Sequence, residues 1–177
     1  MNLDLGDTRL ILRECRRANA SREETAYILA TGYWETAKTM KPVREAFWLS
    51  DTWRRENLRY YPWYGRGYVQ LTWEENYERA GAKLGLDLTT DPDVVMKPEI
   101  AARILVVGML EGWFTGKPLS RYINERKVDY WNARRVVNGM DKAATIANLA
   151  EQYFEVLPAQ RESFITILLR LLFGGSK

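Results

Sequence analysis

Between Ile100 and Leu110 the chain reads IAARILVVGML, apolar on nearly every helical face with Arg103 the exception. A helix of that kind has no side to give to water, so the rest of the chain must enclose it, and it is predicted to form the centre of the fold. Pro98-Glu99 just before it is a helix start. At 177 residues the chain is long enough for one well-buried core, and nothing in it forces a second domain. Residues 1–177 are therefore read as a single domain. Hydrophobic residues at 46% and charged residues at 28% fit a globular protein rather than a disordered one.

The shell around that helix reads as further helices. Thr8 to Ala18 is a first one. Ser21 with Glu24 three residues on is a capping box, opening a second helix from Arg22 to about Lys38, with Pro42 as its stop. Thr72 with Glu75 makes a similar pair before a helix that runs through Leu84 to Gly85, and Asp91-Pro92 is another helix start. Gly116 to Asn124 reads as a turn and short helix, Tyr130 to Val137 as a helix stopped by Asn138-Gly139. Asp141 can cap a helix whose buried stripe is Ile146, Leu149, Ala150, Tyr153 and Leu157. A last apolar helix covers Ala159 to Phe173; docking onto the central helix is its ordinary fate and weak contact with a membrane surface its sharper one. The fold class is mainly α, with one small β region beside a cleft.

That β region is placed at Tyr60–Trp73, YYPWYGRGYVQLTW. Gly65 and Gly67 permit a sharp turn, and the alternation from Tyr68 predicts a strand with Val69, Leu71 and Trp73 on a core face and Tyr68, Gln70 and Thr72 facing a polar ligand. Asn76, one helical turn beyond Thr72, projects from the same side.

Absences narrow the chemistry. The chain has no histidine, which removes Ser-His-Asp and Cys-His catalysis and most zinc or iron sites. The lone Cys15 cannot form an internal disulfide and reads as structural. GWFTGK at Gly112–Lys117 is one residue short of a P-loop and is followed by Pro118 instead of a hydroxyl residue. The net charge of +3 is dispersed, so pairs such as Arg16-Arg17 and Arg134-Arg135 read as solvated helix faces, not as a nucleic-acid footprint. No metal and no cofactor is expected. Carboxylates remain.

Glu35 shares a helical stripe with Ile28, Thr31 and Gly32, and the glycine is expected to leave open space beside it. Apolar neighbours and the negative end of the helix dipole are expected to favour its protonated form, the state a general acid requires. The loop from Val43 to Pro62 offers Glu45, Asp51 and Glu56 as a second acid, and the residues alone do not choose among them.

Three segments, AYILATGYWETAKTMKPVREAF at Ala26–Phe47, YPWYGRGYVQLTWEENY at Tyr61–Tyr77 and ARRVVNG at Ala133–Gly139, together resemble glycoside hydrolase family 19 over about residues 20–157. The resemblance is closest to its phage-endolysin and prophage-lysozyme branch and more distant to its chitinases. It implies a two-lobed, lysozyme-like helical fold that hydrolyses β-1,4 links to N-acetylated amino sugars. It also implies Glu35 of Trp34-Glu35-Thr36 as general acid, Glu45 of the VRE segment as general base, Thr72 as the hydroxyl that holds the attacking water, and Gln70, Asn76 and Asn138 as sugar contacts. Tyr64, Tyr68 or Trp63 would stack on sugar faces. Tryptophan stands where the family commonly has histidine before the acid. Only Ala144–Asn148 stand near the place, after the Asn-Gly segment, of the arginine that pairs with the carboxylates in the chitinases, so the resemblance leaves two alternatives: that support is missing, or Arg134 or Arg135 supplies it.

The implied reaction is inverting hydrolysis of peptidoglycan between N-acetylmuramic acid and N-acetylglucosamine, with chitin as the alternative polymer. A carbohydrate-binding protein without turnover is the reading from another class. The chain is expected to act as a monomer and not to bind nucleic acid. MNLDLGDTRL lacks the basic and apolar parts of a secretion signal, so synthesis in the cytoplasm and release to the wall through a membrane pore are expected.

Overall fold

The computed structural model describes residues 1–159. Along them run α1 (Thr8–Arg17), α2 (Arg22–Glu35), β1 (Val43–Arg44), α3 (Asp51–Asn57), β2 (Arg66–Gly67), α4 (Glu74–Leu84), α5 (Pro98–Glu111), β3 (Ile123–Asn124), β4 (Lys127–Val128), α6 (Tyr130–Ala133) and α7 (Ala143–Val156). Tight 3-10 turns occupy Pro92–Met96, Leu119–Arg121 and Arg134–Val136. The helix expected over Ala159–Phe173 falls, after its first residue, outside the described residues.

The architecture is mainly helical, as the periodicity predicts, with two small antiparallel pairs, β1 with β2 and β3 with β4. Among the described residues no helix is long and apolar enough to cross a membrane. α5 buries Ala101, Ala102, Ile104, Leu105, Val106 and Met109 and packs on α1 and α2. Each of its large aliphatic side chains contributes about 1.5–3 kcal/mol by leaving water. The centre is nonetheless shared. Every residue of α2 from Thr25 to Gly32 is buried, and α7 lies along it. Small residues make this possible: a Cβ on Gly32 would stand 3.2 Å from Leu105 Cδ2, so the space expected beside Gly32 is filled by α5. Cys15 is buried in the same core, and burial pushes its thiol up to about 12, which leaves it inert.

Helix α2 begins as its capping box dictates. Ser21 Oγ accepts from the Glu24 amide at 3.0 Å, and the Glu24 carboxylate accepts from the Ser21 amide at 2.9 Å. It ends at Glu35, before the predicted Lys38. The Thr36 hydroxyl turns back to the Gly32 carbonyl at 2.7 Å, and Ala37 and Lys38 take φ of +49° and +68°. Pro42 therefore follows the stop and does not cause it.

Four local expectations are corrected. The loop after Pro42 contains α3, capped by Ser50 Oγ on the Trp53 amide. The region expected as a turn and short helix does hold the 3-10 helix Leu119–Arg121, but its last two residues, Ile123 and Asn124, form the first strand of the β3–β4 hairpin. Lys142 at φ +59° precedes α7, while Asp141 gives its carbonyl to Arg134 and its side chain caps nothing there. The strand expected from Tyr68 to Trp73 does not form. Arg66 and Leu71 exchange backbone hydrogen bonds around a tight turn in which Gln70 takes φ +56°, and Trp73 at φ +75° precedes α4. Thr72 is thus not the cap of α4; its hydroxyl donates to the Gln70 carbonyl at 2.8 Å.

Candidate active site

Two of the candidate acids meet at one cleft of about 400 Å³, lined by Glu35, Glu45, Tyr60, Val69, Gln70, Thr72, Trp73, Val137 and Asn138. Glu35 comes to it at the C-terminal end of α2, and Glu45 comes from the residue after β1. Asp51 does not reach this cleft. It accepts from the Tyr61 hydroxyl at 3.2 Å and pairs with Arg54 and Arg55, and Glu56 is exposed on α3. Of the three acids in the loop, only Glu45 lies in the cleft with Glu35.

The surroundings of Glu35 differ from the apolar pocket expected. Its Oε1 accepts from Arg134 Nη1 at 2.7 Å, with the arginine side chain only 4% exposed. Arg134 is held in turn by its Nε donating to the Asp141 carbonyl at 3.0 Å. An arginine of the ARRVVNG segment therefore occupies the pairing role that the missing downstream arginine left open.

Glu45 is fixed by the β1–β2 pair. Its amide donates to the Gly65 carbonyl at 2.7 Å, extending the ladder. Its carboxylate accepts from the Gly65 amide at 2.9 Å through Oε2 and from the Tyr60 hydroxyl at 2.6 Å through Oε1. Burial first and then the bond to Glu45 push the Tyr60 hydroxyl up to about 12, so it stays a donor. Gly65 is required for space: an added Cβ would stand 2.7 Å from Gln70 Oε1 and 3.2 Å from Glu45 Oε2. Gly67 is the glycine with the unusual backbone, at φ +85°.

The arginine between these glycines knits the turn. Buried Arg66 donates to Asp93 at 2.7 Å, to the Pro62 carbonyl at 2.7 Å and to the Tyr77 hydroxyl at 3.1 Å, and lies 3.6 Å from the Tyr64 ring centre. Burial raises the Asp93 carboxyl, but hydrogen bonds from Arg44 and Arg66 outweigh it and hold the group below its ordinary value.

Gln70 and Thr72 line the cleft. The Gln70 amide nitrogen donates to the Val43 carbonyl at 3.0 Å. Because the Thr72 proton is committed to Gln70, its oxygen is left to accept a hydrogen bond from the cleft. Asn138, exposed just after the 3-10 turn, lines the opposite side with Val137. Asn76 stands behind the wall: it is not part of the lining, and its amide donates to the Thr72 carbonyl at 2.7 Å.

Tyr64 and Tyr68 are not sugar platforms. They are 2% and 0% exposed, Tyr64 beneath Arg66 and Tyr68 donating to Asp7 at 2.7 Å. Trp63 is half-buried and outside the lining. The aromatic surface comes instead from Trp73, 43% exposed and edge-on to Tyr60 at 4.8 Å between ring centres. The alternation put Trp73 on the core side; Leu71 and Thr72 keep the expected facing, and the break comes at Trp73, whose own φ is +75°. No signal in the sequence marked Tyr60. Among the described residues no three His, Cys, Asp or Glu side chains are placed to hold a metal ion.

The model of the chitinase class I family matches residues 16–132, more than half of the chain and all of the segment from α2 through α6 up to Asn132. The chain belongs to glycoside hydrolase family 19. Among family members, Chitinase 11 of Oryza sativa subsp. japonica is 51% identical over 41 residues, covering 23% of this chain and 16% of that protein. Basic endochitinase B of Arabidopsis thaliana is 30% identical over 100 residues, 50% of this chain and 28% of the relative. The matched stretches thus span less than a third of these two relatives. Chitinase C from Streptomyces griseus HUT6037 has the same fold at a TM-score of 0.59 and 20% identity, over 79% of this chain and 62% of that one.

Proposed function

We propose that this family 19 chain is a peptidoglycan-cleaving lysozyme of the endolysin type, hydrolysing β-1,4 links between N-acetylmuramic acid and N-acetylglucosamine. The observation that carries the reading is that Glu35 and Glu45 line one cleft in unlike surroundings, one paired with a guanidinium and the other held by a hydroxyl and a backbone amide. Two carboxylates with different partners can divide the acid and base roles.

In this mechanism Glu35, its Oε1 accepting from Arg134, gives the proton carried on its other oxygen, Oε2, to the departing glycosidic oxygen. Glu45, with Tyr60 and Gly65 fixing its orientation, takes a proton from water on the opposite face of the sugar. Inversion places such carboxyl groups ~6.5–9.5 Å apart, so that the water fits between them. Thr72, its own proton turned to Gln70, accepts the second hydrogen of that water and aims its lone pair at the anomeric carbon. Gln70 and Asn138 bind acetamido or hydroxyl groups, and Trp73 stacks on an apolar sugar face. The net charge of +3 favours approach to an anionic envelope.

Chitin is the second reading, favoured by the relatives, which are chitinases. Reducing ends released from purified peptidoglycan and from chitin oligomers separate the two. Cleavage of peptidoglycan, lost in Glu35→Gln, is the expected result. Activity on chitin alone would reject the lysozyme reading, and wall lysis unchanged by Glu35→Gln would leave Glu35 without its role.

A further inference from the structure

Behind the β1–β2 pair lies a second and larger cavity of about 560 Å³ that the hydrolytic reaction does not use. Arg44, the residue before Glu45, lines it, and so do Arg54, Phe47 and Met96. Val43 and Arg44 of β1 both line this cavity, whereas Glu45, the next residue, lines the cleft, so the two spaces meet at one point of the chain. The wall is polar on one side, with the Arg44–Asp93 pair at 2.8 Å and Asp51 beside Arg54, and apolar on the other, where Phe47 is 60% exposed at the rim.

Arg54 is the unexplained member. It is 8% exposed, and its Nη1 donates to the carbonyls of Ala46 and Leu49 at 3.1 and 2.9 Å. Its Nε is buried and makes no hydrogen bond; Asp51 Oδ1 pairs with it only at 3.6 Å, while Oδ2 of the same carboxylate accepts from the Tyr61 hydroxyl. A buried guanidinium N–H whose nearest charged partner stands off at 3.6 Å lacks the hydrogen bond such a group ordinarily makes, and a carboxylate is the acceptor whose geometry suits it.

We infer that this cavity binds the acidic peptide carried by the polymer, a peptide carboxylate seating on Arg54 and Arg44 while an apolar peptide side chain rests on Phe47. Resting on the proposed peptidoglycan reading, the inference adds a determinant that an unsubstituted chitin chain cannot engage. An extended peptide covers ~3.3 Å per residue, so three residues reach about 10 Å, and the cavity and the cleft are lined by the adjacent residues Arg44 and Glu45. Asp51, with its side chain half exposed, turns outward as the peptide carboxylate takes its place.

The test uses the full chain and two readouts. Binding of the synthetic tripeptide alanyl-γ-D-glutamyl-diaminopimelic acid is measured by titration calorimetry, and cleavage is compared between peptidoglycan and the same glycan stripped of peptides by an amidase. The tripeptide is expected to bind, and the peptide-bearing glycan to be cut about tenfold faster. Arg44→Gln and Phe47→Ala are expected to weaken tripeptide binding at least fivefold and to erase the preference, with the rate on stripped glycan unchanged. Arg54→Lys, which keeps the charge but lacks Nε, serves as the buried variant once circular dichroism shows it folded, and is expected to do the same. No tripeptide binding together with equal rates on the two glycans overturns the inference even where peptidoglycan is cleaved. Tripeptide binding without cleavage of either glycan supports the peptide site and overturns the hydrolase reading alone.

Discussion

Arg134 and Glu35 stand 99 residues apart in the chain and 2.7 Å apart in the fold, the guanidinium almost wholly enclosed. The contact ties the 3-10 turn after α6 to the last residue of α2, so the proposed acid is positioned by an element that follows it by most of the chain. Removing Arg134 leaves the Glu35 carboxylate, 18% exposed at the cleft, without its charged partner and opens a space where the guanidinium was packed. Arg134→Ala is therefore expected to cost about 3 kcal/mol of stability, read as a shift of the denaturant midpoint, and to lower turnover further than the loss of folded protein explains. Arg134→Lys restores the charge but not the Nε bond to Asp141, and is expected to recover stability only in part.

Glu45 gives a graded test of the proposed base. Glu45→Gln removes it and is expected to lower kcat by roughly 10²- to 10⁴-fold, the range for general acid–base groups. Tyr60→Phe removes one of the two bonds that orient the carboxylate. A hydrogen bond to a charged group contributes about 1.5–3 kcal/mol, so a loss of the order of tenfold to a hundredfold is expected, smaller than that of Glu45→Gln. Because Tyr60 is pushed up to about 12, neither variant should remove a tyrosine limb from the pH–rate profile below pH 10.

Much of this arrangement could be read from the chain, and the reasons for the rest are specific. Local spacing is enough for Ser21 and Glu24, whose capping box sets the start of α2 and hence the phase of Glu35. It fails from Tyr68 to Trp73, because alternation assumes extended backbone and Gln70 and Trp73 have positive φ without being glycine. Val69 and Leu71 still reach the core and Gln70 and Thr72 the cleft, as the pattern predicts, but Tyr68 is buried and Trp73 lines the cleft, against it. The residues alone also left Glu45, Asp51 and Glu56 equal; the β1–β2 register, a tertiary fact, separates them. The Arg134–Glu35 contact has no local signature at all.

The two glycines flanking Arg66 are expected to respond differently to alanine. In Gly65→Ala the new methyl meets the movable end of Gln70 and the Glu45 carboxylate, so the fold should survive within about 1 kcal/mol while activity falls. In Gly67→Ala the backbone at φ +85° is itself disfavoured, costing about 1–2 kcal/mol, and the methyl would come within 3.3 Å of Val95 Cγ1. Thermal melts set beside specific activity distinguish them: Gly65→Ala lowers activity at nearly constant Tm, whereas Gly67→Ala lowers Tm.

Asp93 links the glycine turn to pH. Two arginines, Arg44 and Arg66, converge on its carboxylate at 2.8 and 2.7 Å, and their bonds outweigh burial to hold its pKa below the ordinary 3.8. A carboxyl whose folded pKa is depressed adds stability that is present in full above its unfolded value and is lost as pH falls through the folded one. The turn that carries Gly65 and Gln70 should thus keep its full contribution above about pH 4 and lose it progressively in more acid solution. Asp93→Asn removes the linkage. Its Tm should lie below that of the parent at neutral pH, because buried Arg66 loses its carboxylate, and the gap should narrow as the pH is lowered from 5 to 2. A gap constant over that range would show that Asp93 is not the titrating group.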